Sequence, residues 1–167
     1  MYDKHLKLAA SKFAGGEGVF TDVDIPAEVP IMELSGTPMS EDKLLDPDHP
    51  AVLQIGNDLF LSPSGEMDDK LNHSCNPNCK LYIVGKRAFL FSLYLIRAGS
   101  ELTFDYSTSS TDTHSTWKMD CKCGAFACRK VISGYDYLSD ALKEEYKKKA
   151  MVPLFISEPI LAKRKLR

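Results

Sequence analysis

The stretch LNHSCNPNCK, residues 71–80, sets one histidine and two cysteines among three asparagines and a proline. Asparagine and proline favour turns, so the stretch taken alone is typical of a tight polar turn. The same side chains can also hydrogen-bond a ligand, hold a metal or attack an electrophile. The choice among these uses depends on the rest of the sequence.

Length and composition predict one folded domain. The chain has 167 residues and 18.6 kDa, with 44% hydrophobic and 26% charged residues, which is ordinary for a globular protein. The longest run rich in apolar residues, 88–96, is too short to span a membrane and predicts a buried strand. The N-terminal residues contain no apolar signal segment, so we expect an intracellular, cytoplasmic protein with no membrane partner; a nuclear location stays open.

The charge of the chain argues against a nucleic-acid partner. The formal net charge is −2 and the pI is about 6.1, whereas broad nucleic-acid binding depends on dense positive charge. The compact basic run KRKLR, residues 163–167, is typical of a solvated tail. We therefore expect no direct binding to nucleic acid.

The pattern of apolar residues predicts a mainly β protein. Residues 30–36 and 51–61 have the composition of short strands. Residues 80–84 and 87–96 predict a hairpin with its turn at Gly85-Lys86. The Ser/Thr-rich residues 107–116 predict a flexible loop.

One helix is expected near the C-terminus. Leu138, Leu142 and Tyr146 recur at a helical spacing. Ser139 is placed to cap a helix that runs to about residue 150.

Three cysteines in a short segment indicate a zinc site. Cys121, Cys123 and Cys128 lie within eight residues, and an odd total of five cysteines does not suggest a disulfide framework. A structural zinc ion takes four ligands, of which thiolates are among the strongest. The side chains that can supply the fourth ligand are His73, Cys75, Cys79 and His114.

Four blocks occur in order along the chain: GEGVF at 16–20, NHSCNPNC at 72–79, ELTFDY at 101–106 and CKCGAFACR at 121–129. The first block alone is typical of a plain turn, and ELTFDY alone is typical of a half-buried strand. Together, the blocks resemble the SET-domain protein lysine methyltransferases that carry a post-SET zinc segment. The small size resembles the compact, stand-alone members found in bacteria and some viruses.

The resemblance implies a mainly β SET fold, in which small curved β-sheets surround a pseudoknot. In that fold the NHSC segment passes under the loop before the catalytic tyrosine. We expect a SET domain at residues 5–107 and a post-SET zinc segment at 117–131. Residues 132–167 are expected to form a C-terminal helical extension and a basic tail.

The resemblance also implies the ligands of the site. Cys75 would complete the zinc site, and Cys79 would be a packed thiol. Tyr106 would be catalytic, and Phe104 and Leu81 would line the lysine channel. One structural zinc ion would be held by Cys75, Cys121, Cys123 and Cys128. S-adenosylmethionine would be held by Gly16, Glu17, Gly18, Asn72, His73 (through its main chain), Tyr106 and Trp117. For Trp117 our hypothesis is a cover over the adenine, and an ordinary packing role is the alternative.

The implied reaction is methyl transfer from S-adenosylmethionine to the side-chain amine of a lysine in a histone-like or other basic protein. The amine must be neutral, and an apolar channel beside a sulfonium lowers the lysine pKa from about 10.4. Tyr106 and nearby carbonyls would orient the amine. Because Phe104 and Leu81 carry no hydroxyl, we expect di- or trimethylation.

Two residues depart from the family pattern where a glycine is usual: Glu28 and Lys130. Two other functions are alternatives to a methyltransferase. A non-catalytic SET-like module that binds proteins and is stabilised by zinc would have no need of Asn72, His73 and Tyr106 together. A thiol enzyme that uses Cys79 with His73 would lack a third, orienting residue.

Overall fold

The computed structural model describes residues 1–12, 15–47, 49–111 and 117–158. The predicted basic tail at 163–167 and the candidate ligand His114 lie outside the described residues. Short strands dominate the described part of the chain, which confirms the mainly β prediction. The strands are β1 (Leu6–Ala10), β2 (Glu17–Thr21), β3 (Pro30–Leu34), β4 (Pro38–Met39), β5 (Leu53–Gly56), β6 (Leu59–Leu61), β7 (Asn72–His73), β8 (Cys79–Val84), β9 (Arg87–Ser92), β10 (Thr103–Phe104), β11 (Lys118–Asp120) and β12 (Val131–Ser133).

The strands form several small sheets. Two are three-stranded and antiparallel, with the orders β3-β9-β8 and β4-β6-β5. The antiparallel pairs β1-β2 and β11-β12 form two more, and β7 with β10 forms a parallel pair. Strand β1 was not predicted, because the alternation of apolar and polar side chains in its residues LKLAA extends over only three positions.

The predicted hairpin is present as β8 and β9, joined at Gly85, whose φ of 61° favours glycine. The prediction that its second strand reaches residue 96 is wrong, because β9 ends at Ser92. The Ser92 hydroxyl donates to Pro26 O at 2.6 Å and accepts from the Val29 N–H at 3.0 Å. These two bonds hold Ser92 to residues 26–29. Ile96, which was expected in the same strand as Ser92, pairs with Ile25 in an isolated bridge.

The parallel pair β7-β10 positions the site. Asn72 pairs with Thr103 and His73 with Phe104, and the Ser74 N–H donates to Phe104 O at 3.1 Å. Residues 72–74 are therefore held against the segment that leads into Tyr106, as the resemblance implies.

The stretch predicted as a flexible loop begins as a 3₁₀ helix, Tyr106–Ser109, in which Ser107, Thr108 and Ser109 are buried. Their polar groups are satisfied locally, since the Thr108 hydroxyl donates to Asp105 O and the Ser109 hydroxyl to Tyr106 O. A flexible loop is therefore wrong for residues 107–109, and the part of the prediction on residues 112–116 lies outside the described residues.

Helix α1 (Asp140–Lys148) confirms the predicted C-terminal helix, with the Ser139 hydroxyl accepting from the Leu142 N–H at its N-terminus. A short helix α2 (Leu154–Ser157) follows. The other described helical turns are of the 3₁₀ type: Asp3–His5, Glu41–Lys43, Met67–Lys70 and Tyr135–Tyr137. Of the helices in the described ranges, none is both long enough and apolar enough to cross a bilayer.

Two groups of buried apolar side chains support these elements. The main core joins the strand sheets. A second core, which packs around α1, consists of Tyr135, Leu138, Tyr146, Met151 and Ile156. Full burial of one such side chain stabilises the fold by about 1.5–3 kcal/mol.

Candidate active site and metal centre

Tyr106 begins the 3₁₀ helix that follows β10 and is partly buried. Its hydroxyl donates to Leu71 O at 2.7 Å, and its backbone N–H donates to His73 Nδ1 at 3.2 Å. Burial, together with the negative charge of Glu101, raises the pKa of Tyr106 to about 12. The hydroxyl is therefore protonated at neutral pH, and its oxygen lone pairs are available to accept a hydrogen bond.

A cavity of about 340 Å³ lies beside Tyr106. Tyr106 and Phe104 form part of its wall, with ring centroids 5.0 Å apart. Most of the rest of the wall is apolar, with contributions from Leu34, Leu44, Leu53, Phe60, Leu61 and Leu71. The volume lies within the range of ligand sites and is sufficient for an extended lysine side chain.

Two residues predicted near this cavity differ in their placement. The structure buries Leu81 in the main core, 2% exposed, and it does not form part of the cavity wall. Trp117 does line the cavity, and its Nε1–H donates to the Ser110 hydroxyl at 2.7 Å. Trp117 thus lies with Phe104 and Tyr106, and its role at an adenine stays a prediction.

The predicted glycine turn lies against Asn72. The Asn72 amide donates to Glu17 O at 3.0 Å and to Glu101 Oε1 at 2.7 Å, which uses both of its hydrogens. A Cβ on Gly18 would come within 2.2 Å of Glu101 Oε1, so a larger residue there would displace the Glu101 carboxylate that accepts from Asn72. Gly16 is in the left-handed region, with open space around the position of a Cβ.

These contacts join the predicted cofactor residues to the tyrosine. Asn72 holds the backbone of Glu17, and its neighbour Leu71 accepts the hydrogen bond of Tyr106. The glycine turn is thus linked through Asn72 and Leu71 to Tyr106, and both Leu71 and Tyr106 form part of the cavity wall.

Thiols from two distant segments meet beside His73. The Sγ atoms of Cys75 and Cys121 are 3.7 Å apart, and Cys123 Sγ accepts from the Cys75 N–H at 3.4 Å. Two thiolates bound to one tetrahedral zinc ion at 2.3 Å would be about 3.8 Å apart. The donor atoms of His73, Cys75, Cys121 and Cys123 all lie within 4.8 Å of one another, so this cluster fits a structural zinc ion.

Cys128 lies at the same cluster but not within its tightest group. Its Sγ accepts from the Lys130 N–H at 3.4 Å, and its thiol interacts with those of Cys121 and Cys123. The structure therefore offers His73 and Cys128 as alternatives for the fourth ligand.

The hydrogen bonds of His73 favour the predicted set of four cysteines. Burial lowers the pKa of His73 to about 4, so its ring is neutral. Because Nδ1 accepts from the Tyr106 N–H, the proton lies on Nε2, which faces Cys75 Sγ at 3.3 Å. His73 is then a hydrogen-bond donor to the sulfur, and Cys128 remains for the metal; this ligand set stays a prediction.

Cys79 is fully buried, and burial raises the pKa of its thiol. Its Sγ donates to Asn78 Oδ1, while the two nitrogens of His73 face Tyr106 and Cys75. This arrangement does not support a thiol enzyme built on Cys79 and His73.

Sequence reasoning missed two residues of the site, Asp105 and Arg129. Asp105 is 0% exposed and accepts a two-pronged ion pair from Arg129, with N–O distances of 2.6 and 2.8 Å. Burial alone would raise the pKa of Asp105. The hydrogen bonds from Arg129, and the positive charge that His73 carries when it is protonated, hold this pKa below its usual value. No local signal predicted this burial, because ELTFDY alternates polar and apolar residues and places Asp105 on the polar face with Glu101 and Thr103.

Comparison with known proteins agrees with this geometry. The family model described as SET domain matches residues 16–107. The chain is 35% identical over 88 residues to the H3 lysine-4 specific histone-lysine N-methyltransferase of Mycosarcoma maydis, covering 48% of this chain. It is 28% identical over 151 residues to histone-lysine N-methyltransferase 2B of Homo sapiens, covering 78% of this chain.

A solved structure has the same fold. The crystal structure of KRYPTONITE in complex with mCHG DNA and SAH matches with a TM-score of 0.64 and 25% identity, over 76% of this chain. The match covers 28% of that chain and 6% of each of the two relatives, so it is confined to a small part of them. The SET-domain model spans more than half of the 167 residues. The chain belongs to the SET-domain family.

Proposed function

We propose that the protein transfers methyl groups from S-adenosylmethionine to the side-chain amine of a lysine in a protein substrate. The observation that carries this proposal is that the protonated Tyr106 lines a largely apolar cavity and donates to Leu71 O, next to the Asn72 that holds the glycine turn. The names of the two relatives, both histone-lysine N-methyltransferases, support the same activity.

Gly16, Glu17, Gly18, Asn72 and the main chain of His73 would hold the cofactor. When bound, S-adenosylmethionine would supply a methyl group from its sulfonium and leave as S-adenosylhomocysteine. The SAH in the KRYPTONITE structure supports this choice of cofactor. Asn72 would act mainly by fixing the backbone of Glu17, because its amide hydrogens are already engaged.

The cavity would bind the substrate lysine and disfavour its charged form. Its apolar wall removes water from the ammonium group, which lowers the lysine pKa and favours the neutral, nucleophilic amine. The Tyr106 hydroxyl hydrogen is donated to Leu71 O, so its oxygen can accept an amine N–H and orient the nitrogen lone pair. Tyr106 would thus orient the amine rather than remove its proton. Phe104, which lines the cavity and carries no hydroxyl, keeps di- or trimethylation as the expectation, whereas Leu81 lies outside the cavity wall and no longer supports it.

The substrate would be a histone or another basic protein. Glu41, Asp68 and Asp69 contribute carboxylates to the cavity wall, which would attract a basic segment. The same carboxylates favour the lysine ammonium, so they oppose the effect of the apolar residues on the lysine pKa. A cytoplasmic or nuclear location, and no direct binding of nucleic acid, belong to the same proposal.

The zinc ion would be structural, joining Cys75 to the segment with Cys121, Cys123 and Cys128. We propose three parts of the chain: a SET domain at 5–107, a zinc segment at 117–131 and an extension at 132–167. Strand β1 pairs with β2, which supports a start before the residues that the family model matches.

The first test is calorimetric titration of the zinc-loaded protein with S-adenosylhomocysteine, followed by methylation of histone peptides between pH 6 and 10. We expect one-to-one binding, which Tyr106→Phe retains. We also expect a rate that rises with pH until the substrate amine is deprotonated. Because the pKa of Tyr106 is about 12, its hydroxyl does not titrate in this range.

Tyr106→Phe should lower kcat by about 100-fold, since positioning of the amine is lost, without moving the midpoint of the pH profile. A midpoint that disappears in Tyr106→Phe would contradict a positioning role and assign Tyr106 as a base. A folded, zinc-loaded protein that binds no S-adenosylhomocysteine would favour the non-catalytic protein-binding module.

A further inference from the structure

Asp105, directly before Tyr106, is the centre of a buried polar network. Its carboxylate accepts from Arg129 at 2.6 and 2.8 Å, from the Tyr146 hydroxyl at 2.6 Å and from the Ser107 N–H at 3.0 Å. These four bonds fill the acceptor sites of one carboxylate. With 0% exposure and no access to water, the position of Asp105 depends on these partners.

Two of the partners come from outside the residues matched by the SET-domain model, which ends at 107. Arg129 belongs to the cysteine segment, and Tyr146 belongs to α1. Tyr146 is 3% exposed and packs in the second core with Tyr135, Leu138, Met151 and Ile156. That core fixes the direction in which the Tyr146 hydroxyl points.

Asp105 in turn sets the backbone at Tyr106. Its side chain caps the 3₁₀ helix Tyr106–Ser109 through the Ser107 N–H, and its carbonyl accepts from the Thr108 N–H at 2.9 Å and the Thr108 hydroxyl at 2.7 Å. A rotation of Asp105 would therefore shift the backbone that carries the Tyr106 side chain.

We propose that Tyr146 is a positioning residue: through its hydrogen bond to Asp105, α1 of the C-terminal extension holds Tyr106 in its active position. The kinetic part of this inference rests on the proposed function. The structural part does not, because the loosening of residues 105–108 can be measured in a protein of any activity.

The test is Tyr146→Phe, which keeps the ring in the second core and removes the hydroxyl. We expect kcat to fall about tenfold, because a charge-assisted hydrogen bond is lost, while the KM for peptide and the affinity for S-adenosylhomocysteine change less than about twofold. Kinetics are measured well below the unfolding midpoints of both proteins. Tyr82→Phe, at a tyrosine 55% exposed on β8, is the matched control and should leave kcat unchanged.

Amide hydrogen exchange gives a readout that is independent of activity. In Tyr146→Phe the amides of Ser107 and Thr108 should exchange at least about fivefold faster, with little change in β3 and β9. Equal exchange at residues 105–108 overturns the inference, whether or not the wild type methylates lysine. A fall in kcat with uniformly faster exchange across all strands also overturns it, because the hydroxyl would then act only on global stability. The amides of Ser107 and Thr108 could exchange faster in Tyr146→Phe while the wild-type protein methylates no lysine. That result would support the structural part of the inference and contradict only the proposed function.

Discussion

Two single residues show how this chain departs from its family at the level of the backbone. Glu28 and Lys130 stand where the family pattern has glycine, and both have positive φ, 57° and 66°. A side chain in this left-handed region costs about 1–2 kcal/mol, which accounts for the glycine usual in the family. Glu28 has a compensating contact, since its carboxylate pairs with Lys80 Nζ at 2.6 Å.

Lys130→Gly should therefore stabilise the protein. The relief of left-handed strain exceeds the extra flexibility that glycine brings to the unfolded chain, for a net gain of about 0.5–1 kcal/mol. Thermal unfolding of the zinc-loaded protein measures this gain as a rise of about 1–4 °C in the midpoint. A lower midpoint would show that Lys130 makes a contact stronger than the strain.

Glu28→Gly should have the opposite sign, although the backbone strain that it removes is similar. Lys80 is 9% exposed, and loss of Glu28 leaves its charge buried without a carboxylate. The cost is about 1–3 kcal/mol, below that of a fully buried pair because the Glu28 side chain is 60% exposed. The control is Glu28→Gly in a Lys80→Met background, which should recover the gain. Equal stabilisation by Glu28→Gly and Lys130→Gly would contradict a role for the pair.

At the scale of elements, sequence patterns predicted those parts whose causes are local. The β8-β9 hairpin follows from its glycine turn, and α1 follows from helical spacing and the Ser139 cap. By contrast, ELTFDY forms only a two-residue strand, because Asp105 caps the 3₁₀ helix that begins at Tyr106 instead of continuing β10. The partners of Asp105 lie 24 and 41 residues further along the chain, a separation that no local pattern reports.

The zinc site was predictable from the segment with Cys121, Cys123 and Cys128 for a different reason. The spacing of these cysteines indicates metal binding, although the remaining ligand comes from a distant part of the chain. Three cysteines in CKCGAFAC indicated a metal, whereas only the resemblance assigned Cys75 over Cys79. The structure places Cys75 at the cluster and buries Cys79 in the main core. His73, also a candidate ligand from the sequence, lies beside Cys75 as well, and the direction of its ring was not predictable because it depends on the Tyr106 N–H.

We expect one zinc ion per chain and its loss in Cys121→Ser. The segment from residue 117 to 131 has few buried apolar residues of its own, so metal removal should melt the pairing of β11 with β12 and lower the unfolding midpoint. Elemental analysis gives the stoichiometry, and chelation with 1,10-phenanthroline gives the shift in midpoint.

The matched control is Cys79→Ala, which removes a thiol from the core. It should lower stability by about 1 kcal/mol and keep the full zinc content. Cys128→Ser and His73→Gln then separate the two candidate ligand sets: zinc affinity should fall steeply in Cys128→Ser and only slightly in His73→Gln. The reverse ranking would assign His73 as the fourth ligand.

At the scale of the whole molecule, the hydrogen bond between Tyr146 and Asp105 joins the C-terminal extension to the SET domain, and the apolar side chains of the second core surround Tyr146. The second core contributes packing, and the Tyr146 hydroxyl contributes the bond to Asp105. The helical spacing predicted α1 but not the residues that α1 packs against. Such spacing identifies the buried face of a helix without identifying what covers that face.

Truncation tests whether this extension is part of the folded unit. Removal of residues 135–167 takes away the whole second core, including Tyr135, Leu138 and Tyr146, and leaves the carboxylate of Asp105 with one fewer donor. We expect the unfolding midpoint of the zinc-loaded protein to fall by more than about 10 °C, since several buried side chains are lost together. A protein that ends at residue 158 keeps every contact among the described residues and is the reference for this midpoint. If the longer truncation unfolds at the wild-type temperature and retains full kcat, the extension neither stabilises the SET domain nor holds Tyr106. If its midpoint falls but Tyr146→Phe alone reproduces the loss of kcat, packing and positioning are separate contributions of the same helix.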